Sequence, residues 1–550
     1  MSNKHLCRAA FLFSGALAAL PICIPLLSLL CFFSFIPLLL LLFRELIRPS
    51  LLFRPRHYYG VGLLVMVPYF MVIFHWFTYL WPLDFVAGMT PAIATLIILL
   101  ACIGLPFLQA LGFAFLFYCL AWLSRTPIVR KFPLLLPFLF AALFPLFSFT
   151  QTLTWAGVPW GAQLALALYP QPFLLASASF FGSYFVTFVI AAVNACLAYA
   201  ILHVVYTAKP RACRVACLAA AAVFILHTGL CTLAYLQPVT EESRMTAAVL
   251  QGNIASSEKW VETTDAIAIY GRLAEEAAAA GAELIVWPET VITTYLRNGN
   301  GAILARISAI AQKTGAIQIV GAYDAGSDAE GNFLRYNALF LVYPDGNISE
   351  HVYYKRHLVP FGEYVPMAAL IRTLIPPLAQ LEMMGDGNGV TPGDQPALFD
   401  EAFGCIGGLI CFDSIYESLT RDSVAAGAEL IALGTNDSWF FDSAAVYQHN
   451  GQAVLRAVEN RRWILRAANT GISSVIDPHG NIVTSIPPLV EGQAVAEVAF
   501  VSEKTLYTCI GDVFLLLCLS FVLLPPALAA ADAFRRHNRS SAIDIPDTMH

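Results

Sequence analysis

The sequence predicts a membrane-embedded helical bundle that carries a water-exposed α/β domain. Hydrophobic residues make up 58% of the 550-residue chain and charged residues only 12%, and the mean hydropathy of +0.68 lies outside the range of soluble domains. Residues 10–43 and 60–123 contain almost no ionisable side chains, whereas residues 237–506 have an ordinary mixture of charged and apolar side chains. One part of the chain therefore belongs in lipid and another in water.

Apolar stretches long enough to cross a bilayer, which takes about twenty residues, predict eight membrane spans. They lie near residues 9–25, 26–43, 60–80, 95–122, 132–150, 176–206, 215–236 and 507–531. Pro21 and Pro25 could turn the chain between the first two spans, and 85–123 could hold two short helices instead of one. Lys4 and Arg8 precede the first apolar run as in a signal peptide, but no small-residue cleavage site comes before the next run, so we expect a retained first helix.

The basic residues between the spans predict the topology. They follow the second, fourth, sixth and eighth spans, at Arg44, Arg48, Arg54, Arg56, Arg125, Arg130, Lys131, Lys209, Arg211, Arg214, Arg535, Arg536 and Arg539. The other connections, such as 81–91 and 154–163, contain no Lys or Arg. Because basic loops stay in the cytoplasm, we expect both termini to be cytoplasmic and residues 237–506 to be extracytoplasmic. A nine-span arrangement breaks this pattern.

The expected organisation is a seven-span domain at 1–236, an α/β domain at 237–506, and a last span with a tail at 507–550. The net charge of −6 provides no basic surface for nucleic acid, so we exclude nucleic acid as a partner. Of the 13 cysteines only Cys405 and Cys411 lie in the polar region, which argues against a disulfide scaffold.

Short strand-like runs alternate with helical periodicity in the polar region. The strand-like runs are 246–253, 283–289, 316–324, 337–343, 404–411 and 429–437, and the helix-like runs are 272–281, 302–315 and 452–469. The turn sequences PDGN at 344–347 and DPHGN at 477–481 predict hairpins. Several strands are too apolar to expose one face, so helices should cover buried sheets.

Three polar residues that follow apolar runs predict a catalytic site. Glu289 follows ELIVWP, Lys355 follows two tyrosines in YYKRHLVPFGEYVP with Glu363 in the same loop, and Cys411 ends GGLIC. Taken singly, each is better explained as a capping acid, a solvated cation or a core thiol. Together they supply a nucleophile, a base for its proton and a cation for a developing oxyanion, which predicts acyl transfer through a thioester.

These motifs resemble the carbon–nitrogen hydrolase (nitrilase) superfamily, whose fold is an αββα sandwich. Together with the membrane spans they are similar to the bacterial apolipoprotein N-acyltransferase family. The matching stretches are VLQGNIASSEKW (249–260), VWPET (286–290), YYKRHLVPFGEYVP (353–366), GTNDSWF (434–440) and RAANTGISSVIDPHG (466–480). The resemblance covers essentially the whole chain.

The resemblance implies roles for individual residues. Glu289 matches the general base, Lys355 the oxyanion stabiliser and Cys411 the nucleophile of a Cys-dependent ping-pong acyltransferase. Glu363 matches a further acid that supports these three residues, and Trp260 matches a tryptophan near the site.

Next to the nucleophile the sequence departs from the family pattern. The backbone N–H of Phe412 would complete an oxyanion hole, and Asn337 would give polar support near Lys355. The family commonly follows its cysteine with Tyr-Glu, whereas this chain has Phe412 and Asp413. That change leaves the three catalytic residues intact and alters their surroundings.

The resemblance implies that Cys411 takes an acyl chain from a phospholipid, typically phosphatidylethanolamine, and passes it to the N-terminal amine of diacylglyceryl-cysteine on an apolipoprotein. It also implies a bacterial inner membrane protein with a periplasmic catalytic domain. We expect no metal and no cofactor, because the polar-domain histidines His351, His357, His449 and His479 lack metal-ligand spacing. The apolar run 367–384 is either a core helix or an arm that rests on the membrane over the site.

Two alternatives remain at this level. A membrane-tethered amidase or hydrolase would use the same three residues and release its acyl group to water. A transporter, or a scaffold with an inactive enzyme domain, belongs to another class. Transport would predict ionisable residues inside the spans, and few occur apart from His75, His203 and His227.

Overall fold

The computed structural model describes most of the chain as a helical part followed by a sheet-containing part. The described residues are 3–47, 55–83, 89–153, 158–255, 258, 265–297, 301–367, 370, 373 and 389–543. The chain is helical up to Leu236, and two β-sheets with flanking helices lie between Arg244 and Ala499. A long helix follows them.

Apolar helices build the first part, because a segment in lipid must satisfy its own backbone hydrogen bonds. The α-helices are α1 (Asn3–Cys23), α2 (Ile36–Ile47), α3 (Pro55–Ile73), α4 (Pro91–Leu99), α5 (Leu105–Leu123), α6 (Pro127–Lys131), α7 (Leu135–Thr150), α8 (Ala178–Phe181), α9 (Ser183–Val205) and α10 (Pro210–Leu236). Short 3₁₀ helices lie at Pro25–Phe32, His75–Leu80, Leu164–Leu168 and Pro172–Leu175. Most of these helices share one apolar core, in which Leu39, Phe70 and Phe140 are buried.

Among the described residues, five helices are long and apolar enough to cross a membrane, fewer than the eight spans predicted. They are Pro25–Ile47, Pro91–Leu123, Ser183–Val205, Pro210–Leu236 and Val513–Arg536. The predicted spans at 9–25 and 132–150 are apolar helices but shorter, at Arg8–Cys23 and Leu135–Thr150. A multi-pass helical part is confirmed, and the count of eight is not.

Two predicted spans contain local irregularities. The stretch 95–122 lies in one helix that passes through a π-helical turn at Leu100–Gly104. The stretch 176–206 is broken at Gly182, which has a left-handed φ of +76° and where a Cβ would lie 2.6 Å from the ring of Tyr507. Glycine is the residue that tolerates both conditions, so the helix restarts at Ser183.

Two sheets form the second part. Their strands are β1 (Arg244–Gln251), β2 (Leu284–Val286), β3 (Ile292–Tyr295), β4 (Ile317–Ser327), β5 (Phe333–Val342), β6 (Ile348–Tyr354), β7 (Leu398–Glu401), β8 (Gly404–Ile410), β9 (Leu430–Thr435), β10 (Trp463–Ala468), β11 (Ser473–Ile476), β12 (Ile482–Ile486) and β13 (Gly492–Ala499). The first sheet has the order β13-β1-β2-β4-β5-β6 with β3 beside β4, and the second has the order β12-β11-β10-β9-β8-β7. The predicted strands and both predicted hairpins, β5–β6 and β11–β12, are confirmed.

Helices cover the outer face of each sheet. They are α11 (Ala266–Ala279), α12 (Gly301–Thr314), α13 (Glu417–Ala426) and α14 (Ala444–Asn460), and α15 (Leu506–Ile510) and α16 (Val513–Ile543) follow. α11 and α12 pack on the first sheet, and α13 and α14 on the second. Val249, Leu339 and Leu430 are buried between the sheets. This order of layers confirms the predicted αββα sandwich.

Helix α14 joins the sandwich to the membrane part and is buried on all sides. Trp160 Nε1 donates to Gln448 Oε1 at 2.6 Å. At Gly451 a Cβ would lie 2.8 Å from the ring of Tyr169, so the two parts approach closely there. The second sheet is therefore held against the membrane helices through α14.

The prediction of a single helix over 452–469 is wrong. α14 ends at Asn460, Arg461 has a left-handed φ of +50°, and Trp463–Ala468 forms β10, which pairs in parallel with β9. The helical periodicity of the sequence continues across this boundary, and the helix is ended by an arginine in a conformation that usually selects glycine or asparagine. Pairing with β9 outweighs the local helical preference.

Candidate active site

Glu289 lies in a tight turn directly after β2. The strand ends at Val286, Pro288 cannot donate to the sheet, and Thr290 has a left-handed φ of +44°. Gly321 of β4 packs on this turn so closely that a Cβ there would lie 2.1 Å from the Pro288 carbonyl oxygen. The Glu289 side chain is only 7% exposed, so its carboxylate is held inside the protein.

Lys355 reaches the same place from β6. The pairing of β4 with β5 and of β5 with β6 is antiparallel, so β6 runs in the same direction as β4 and β2, and their carboxyl ends lie at one edge of the sheet. Lys355 follows this end of β6. Its Nζ lies 2.9 Å from Glu289 Oε1 and 2.9 Å from Glu363 Oε1, and its side chain is 1% exposed.

Asn337 of β5 closes this network. Its side-chain Nδ2 donates to Glu289 Oε1 at 2.7 Å and to Glu363 Oε1 at 3.0 Å. Its backbone carbonyl accepts from the backbone N–H of Lys355 at 2.8 Å. The second oxygen of Glu363 accepts from the Val359 N–H at 2.8 Å. The two carboxylates thus share two donors, which fixes their positions relative to Lys355.

The charge of Lys355 is stabilised by these neighbours. Burial alone would lower the pKa of its ammonium, but the carboxylates of Glu289 and Glu363 outweigh burial and hold the pKa well above its ordinary value. A buried ammonium with two carboxylate partners stays protonated and is available to an oxyanion.

Cys411 stands at the junction of β8 and a 3₁₀ helix. The strand ends at Ile410, the 3₁₀ helix spans Cys411–Ile415, and Cys411 has a left-handed φ of +50°. A strand–turn–helix junction of this kind presents a nucleophile at the edge of a sheet. Cys411 is partly exposed and has a free thiol.

The surroundings of the Cys411 thiol raise its pKa. Burial raises the pKa of the thiol and the Glu289 carboxylate raises it further, whereas the Lys355 ammonium and a hydrogen bond with Thr435 lower it. These interactions place Cys411 beside both Glu289 and Lys355, so the structure brings the three predicted residues together. A thiol with a raised pKa needs a base at the moment of attack.

Asp413 ties the Cys411 junction to the segment that carries Lys355. Its Oδ1 accepts from the backbone N–H of His357 at 2.7 Å, and its Oδ2 accepts from Tyr353 Oη at 2.9 Å and from the Ile410 N–H at 3.0 Å. Burial raises the pKa of Asp413 to about 6, although these hydrogen bonds oppose the shift. Asp413, which stands where the family commonly has the longer Glu, therefore has hydrogen-bond partners on both of its carboxylate oxygens. The Phe412 side chain packs separately, edge-on to Tyr416 with ring centroids 5.7 Å apart.

A second polar group near Cys411 was not predicted. His449 Nδ1 lies 2.8 Å from Asp437 Oδ1, and Arg466 Nη2 donates to Asp437 Oδ2 at 2.7 Å. The sequence marked His449 only as a histidine without metal-ligand spacing. Asp437 follows β9, which is parallel to β8, so the same search for polar residues after apolar strands could have found it.

Some predicted features lie outside the described residues. Trp260 is one of them, and so is most of the run 367–384, of which Met367, Leu370 and Thr373 are described. Within the part of the chain that the structure describes, no cluster of three or more His, Cys, Asp or Glu residues has the arrangement of a metal site.

Family models match both parts of the chain. Residues 246–505 match the carbon-nitrogen hydrolase model, and residues 14–196 match the model of the apolipoprotein N-acyltransferase N-terminal domain. Among solved structures, an amidase from Nesterenkonia sp. is 20% identical with a TM-score of 0.37 and covers 51% of this chain and 97% of its own. Saccharomyces cerevisiae Nit3, of the nitrilase superfamily, is 19% identical with a TM-score of 0.36 and covers 47% and 91%.

Curated relatives named apolipoprotein N-acyltransferase are about one third identical to this chain over the residues that align. The Geobacter metallireducens protein is 36% identical over 388 residues, 69% of this chain and 71% of the relative. The Pseudomonas syringae pv. tomato protein is 33% identical over 47% of this chain and 49% of the relative, and the Gloeobacter violaceus protein is 32% identical over 59% and 60%. With the two family models and the identity to the Geobacter protein, the chain belongs to the apolipoprotein N-acyltransferase family.

Proposed function

We propose that this enzyme, an acyltransferase of lipoprotein maturation, works through a thioester on Cys411, with Glu289 as general base and Lys355 as oxyanion stabiliser. The observation that carries the proposal is the buried Lys355 ammonium. Its Nζ lies 2.9 Å from a carboxylate oxygen of each of Glu289 and Glu363, and it interacts electrostatically with the thiol of Cys411 at a strand–helix junction. Glu363 and Asn337 would hold Lys355 and Glu289 in place.

In the first step Glu289 takes the proton of Cys411 as sulfur attacks the ester carbonyl of a phospholipid. The carbonyl oxygen becomes an oxyanion, which Lys355 and the Phe412 backbone N–H stabilise. Collapse breaks the ester C–O bond, the leaving alkoxide takes the proton from Glu289, and a lysophospholipid departs. The acyl chain is then bound to sulfur as a thioester.

In the second step the N-terminal amine of diacylglyceryl-cysteine attacks the thioester carbonyl. Glu289 accepts the proton that the amine loses, and the same donors stabilise the second oxyanion. The C–S bond breaks, the thiolate takes the proton back, and the product is an amide. An amide is more stable than a thioester, so the transfer runs towards the lipoprotein.

The membrane part explains why acyl transfer is favoured over release of the acyl group to water. Both substrates carry acyl chains in a bilayer, and the apolar N-terminal half matches the family's own N-terminal domain, which a free amidase would not need. We assign the membrane part to 1–236, the catalytic domain to 237–506 and the last span with its tail to 507–550.

The topology belongs to the same proposal: eight spans in a bacterial inner membrane, both termini cytoplasmic and the catalytic domain periplasmic. The distribution of basic residues supports it, with Arg44, Arg130, Arg211 and Arg535 at the predicted cytoplasmic ends of helices. In intact cells, an impermeant maleimide should label Glu497→Cys and leave Arg56→Cys unlabelled. Labelling of Arg56→Cys from outside would refute this topology.

Replacement of Cys411 tests the chemistry. Cys411→Ala and Cys411→Ser should abolish acylation of a diacylglyceryl-cysteine peptide by a labelled phospholipid in detergent. Cys405→Ala is the matched control, because Cys405 is also a free cysteine. It should retain turnover, because Cys405 lies earlier on β8, opposite Asp400 of β7. Full activity of Cys411→Ala would disprove the proposal.

A further inference from the structure

We propose that His449 and Ser414 are positioning residues that fix the orientation of the peptide unit between Cys411 and Phe412. The inference rests on the proposed function, in which the N–H of this peptide is an oxyanion donor. Ser414 Oγ donates to the Cys411 carbonyl oxygen at 2.8 Å, and His449 Nε2 lies 3.2 Å from the same oxygen.

Peptide geometry connects this carbonyl to the oxyanion hole. In a planar trans peptide the C=O of Cys411 and the N–H of Phe412 point in opposite directions. Donors that hold the carbonyl on one side therefore aim the N–H at the other side. They also polarise the peptide, which makes its N–H a stronger donor. Phe412 is the second residue of a 3₁₀ helix, where backbone N–H groups have no partner within the helix.

A buried chain of polar contacts holds the His449 ring in place. Nδ1 faces Asp437 Oδ1 at 2.8 Å, and Asp437 Oδ2 accepts from Arg466 Nη2 at 2.7 Å. The side chains of all three residues are at most 1% exposed. A carbonyl oxygen only accepts, so the contact with Cys411 is a hydrogen bond when Nε2 carries a proton.

The left-handed conformation of Cys411 makes this support necessary. A φ of +50° is strained for a residue with a Cβ and persists only where surrounding contacts impose it. The Cys411 carbonyl is attached to this strained residue, so a loss of its donors would let the peptide rotate. His449 lies on α14, and its ring packs on Trp160 of the membrane part with centroids 5.2 Å apart. The peptide unit between Cys411 and Phe412 is therefore supported from the membrane side.

The full-length enzyme in detergent tests the proposal with two reactions of Cys411. The first is single-turnover acylation from a phosphatidylethanolamine with a labelled acyl chain, which forms an oxyanion. The second is alkylation by iodoacetamide, which forms no oxyanion. Mass spectrometry of the peptide that contains Cys411 measures it. Ser414→Ala and His449→Ala should slow acylation by about 10- to 100-fold, below the 10²- to 10³-fold of a lost oxyanion donor, with an unchanged half-saturating lipid concentration. Alkylation should stay near the rate of the unsubstituted enzyme.

Two further variants complete the experiment. His449→Gln keeps a side-chain N–H donor and should recover part of the acylation rate. His479→Ala, at a histidine whose ring lies tilted against Tyr235 with centroids 4.7 Å apart, should change neither reaction. Unchanged acylation in both Ser414→Ala and His449→Ala, or an equal loss of acylation and alkylation, would overturn the proposal. If His449→Ala fails to fold, Ser414→Ala decides, since it removes a single hydroxyl. Acylation that survives in Cys411→Ala would instead refute the proposed function.

Discussion

At the scale of single residues, the two carboxylates around Lys355 differ in their surroundings. Glu363 is fixed by the backbone N–H of Val359 at 2.8 Å, so its place is set by its own loop. Glu289 is the carboxylate whose charge acts on the Cys411 thiol. We therefore propose that Glu289 transfers the proton and that Glu363 holds Lys355.

Replacement of Lys355 should affect the chemistry strongly. Lys355→Ala should lower the acylation rate on the order of 10²- to 10³-fold, as for a lost oxyanion donor. Lys313→Ala is the matched control, because Lys313 pairs with Glu275 at 2.7 Å on the surface with its side chain 66% exposed. Single-turnover acylation measures both variants. A normal rate in Lys355→Ala would remove Lys355 from the mechanism.

Replacement of Glu289 should move two reactions of Cys411 in opposite directions. Glu289→Gln removes the negative charge that raises the pKa of the thiol, so the thiolate fraction at a given pH should rise. Iodoacetamide should then alkylate Cys411 faster, while acyl transfer slows because the base is lost. The pH dependence of alkylation, measured on the Cys411 peptide, should shift to lower pH. A shift to higher pH would contradict the role of Glu289 described here.

At the scale of elements, Asp413 connects the ends of β6 and β8. It accepts hydrogen bonds from Tyr353, His357 and Ile410, so one carboxylate fixes the Lys355 segment against the Cys411 junction. Gly408 allows this approach, because a Cβ there would lie 2.6 Å from the Tyr353 ring. We expect the separation of Cys411 from Glu289 and Lys355, which lie on the other sheet, to depend on this connection.

Asp413→Asn should destabilise the protein by about 1–3 kcal/mol. The substitution replaces one accepting carboxylate oxygen with an NH₂ group, so a backbone N–H that donated to that oxygen loses its hydrogen-bond partner. The pKa of Asp413 is raised to about 6 from 3.8, so its contribution to stability is full below pH 3.8 and is lost as pH rises through 6. The loss of stability caused by Asp413→Asn should thus be larger at pH 5 than at pH 7.5. Melting temperatures in detergent at the two pH values measure it, and a smaller loss of stability at pH 5 would contradict the assignment.

The elements show which features the sequence could predict. Apolar runs predicted the buried strands, and polar residues after them predicted Glu289, Lys355 and Cys411, because parallel strands end at a common edge. The end of α14 could not be predicted, since it depends on a left-handed Arg461 and on pairing of β10 with a strand far away in sequence. The contact of His449 with the Cys411 carbonyl depends on the packing of α14, which no local pattern encodes.

At the scale of the whole molecule, α14 couples the catalytic domain to the membrane part. Gln448 accepts from Trp160, and Glu459 Oε1 accepts from the backbone N–H of Ser183, at the start of α9. A carboxylate at this position complements the positive end of the helix dipole. The same helix carries His449, so we expect the position of the membrane part to affect the site around Cys411.

Two glycines in helices test this coupling. Gly451→Ala should disturb the packing of α14, because its Cβ would lie 2.8 Å from the ring of Tyr169, and should lower both melting temperature and acylation rate. Gly229→Ala in α10 is the matched control, because among the described residues no atom outside its own stretch of helix lies within 4 Å of its Cβ position. Both changes raise helix propensity by about 1 kcal/mol, so the difference between them reports the clash. Equal behaviour of the two variants would show that the contact has no effect.

The central claim, a thioester on Cys411 between a lipid donor and a lipoprotein acceptor, is tested most directly by a chase of the acyl-enzyme. The purified enzyme is incubated with a phospholipid that carries a labelled acyl chain, freed of lipid and then mixed with a diacylglyceryl-cysteine peptide. We expect a hydroxylamine-sensitive label on the Cys411 peptide, which moves to the acceptor amine when the acceptor is added. Label on another residue, or label that leaves as free fatty acid while the acceptor stays unmodified, would contradict the account.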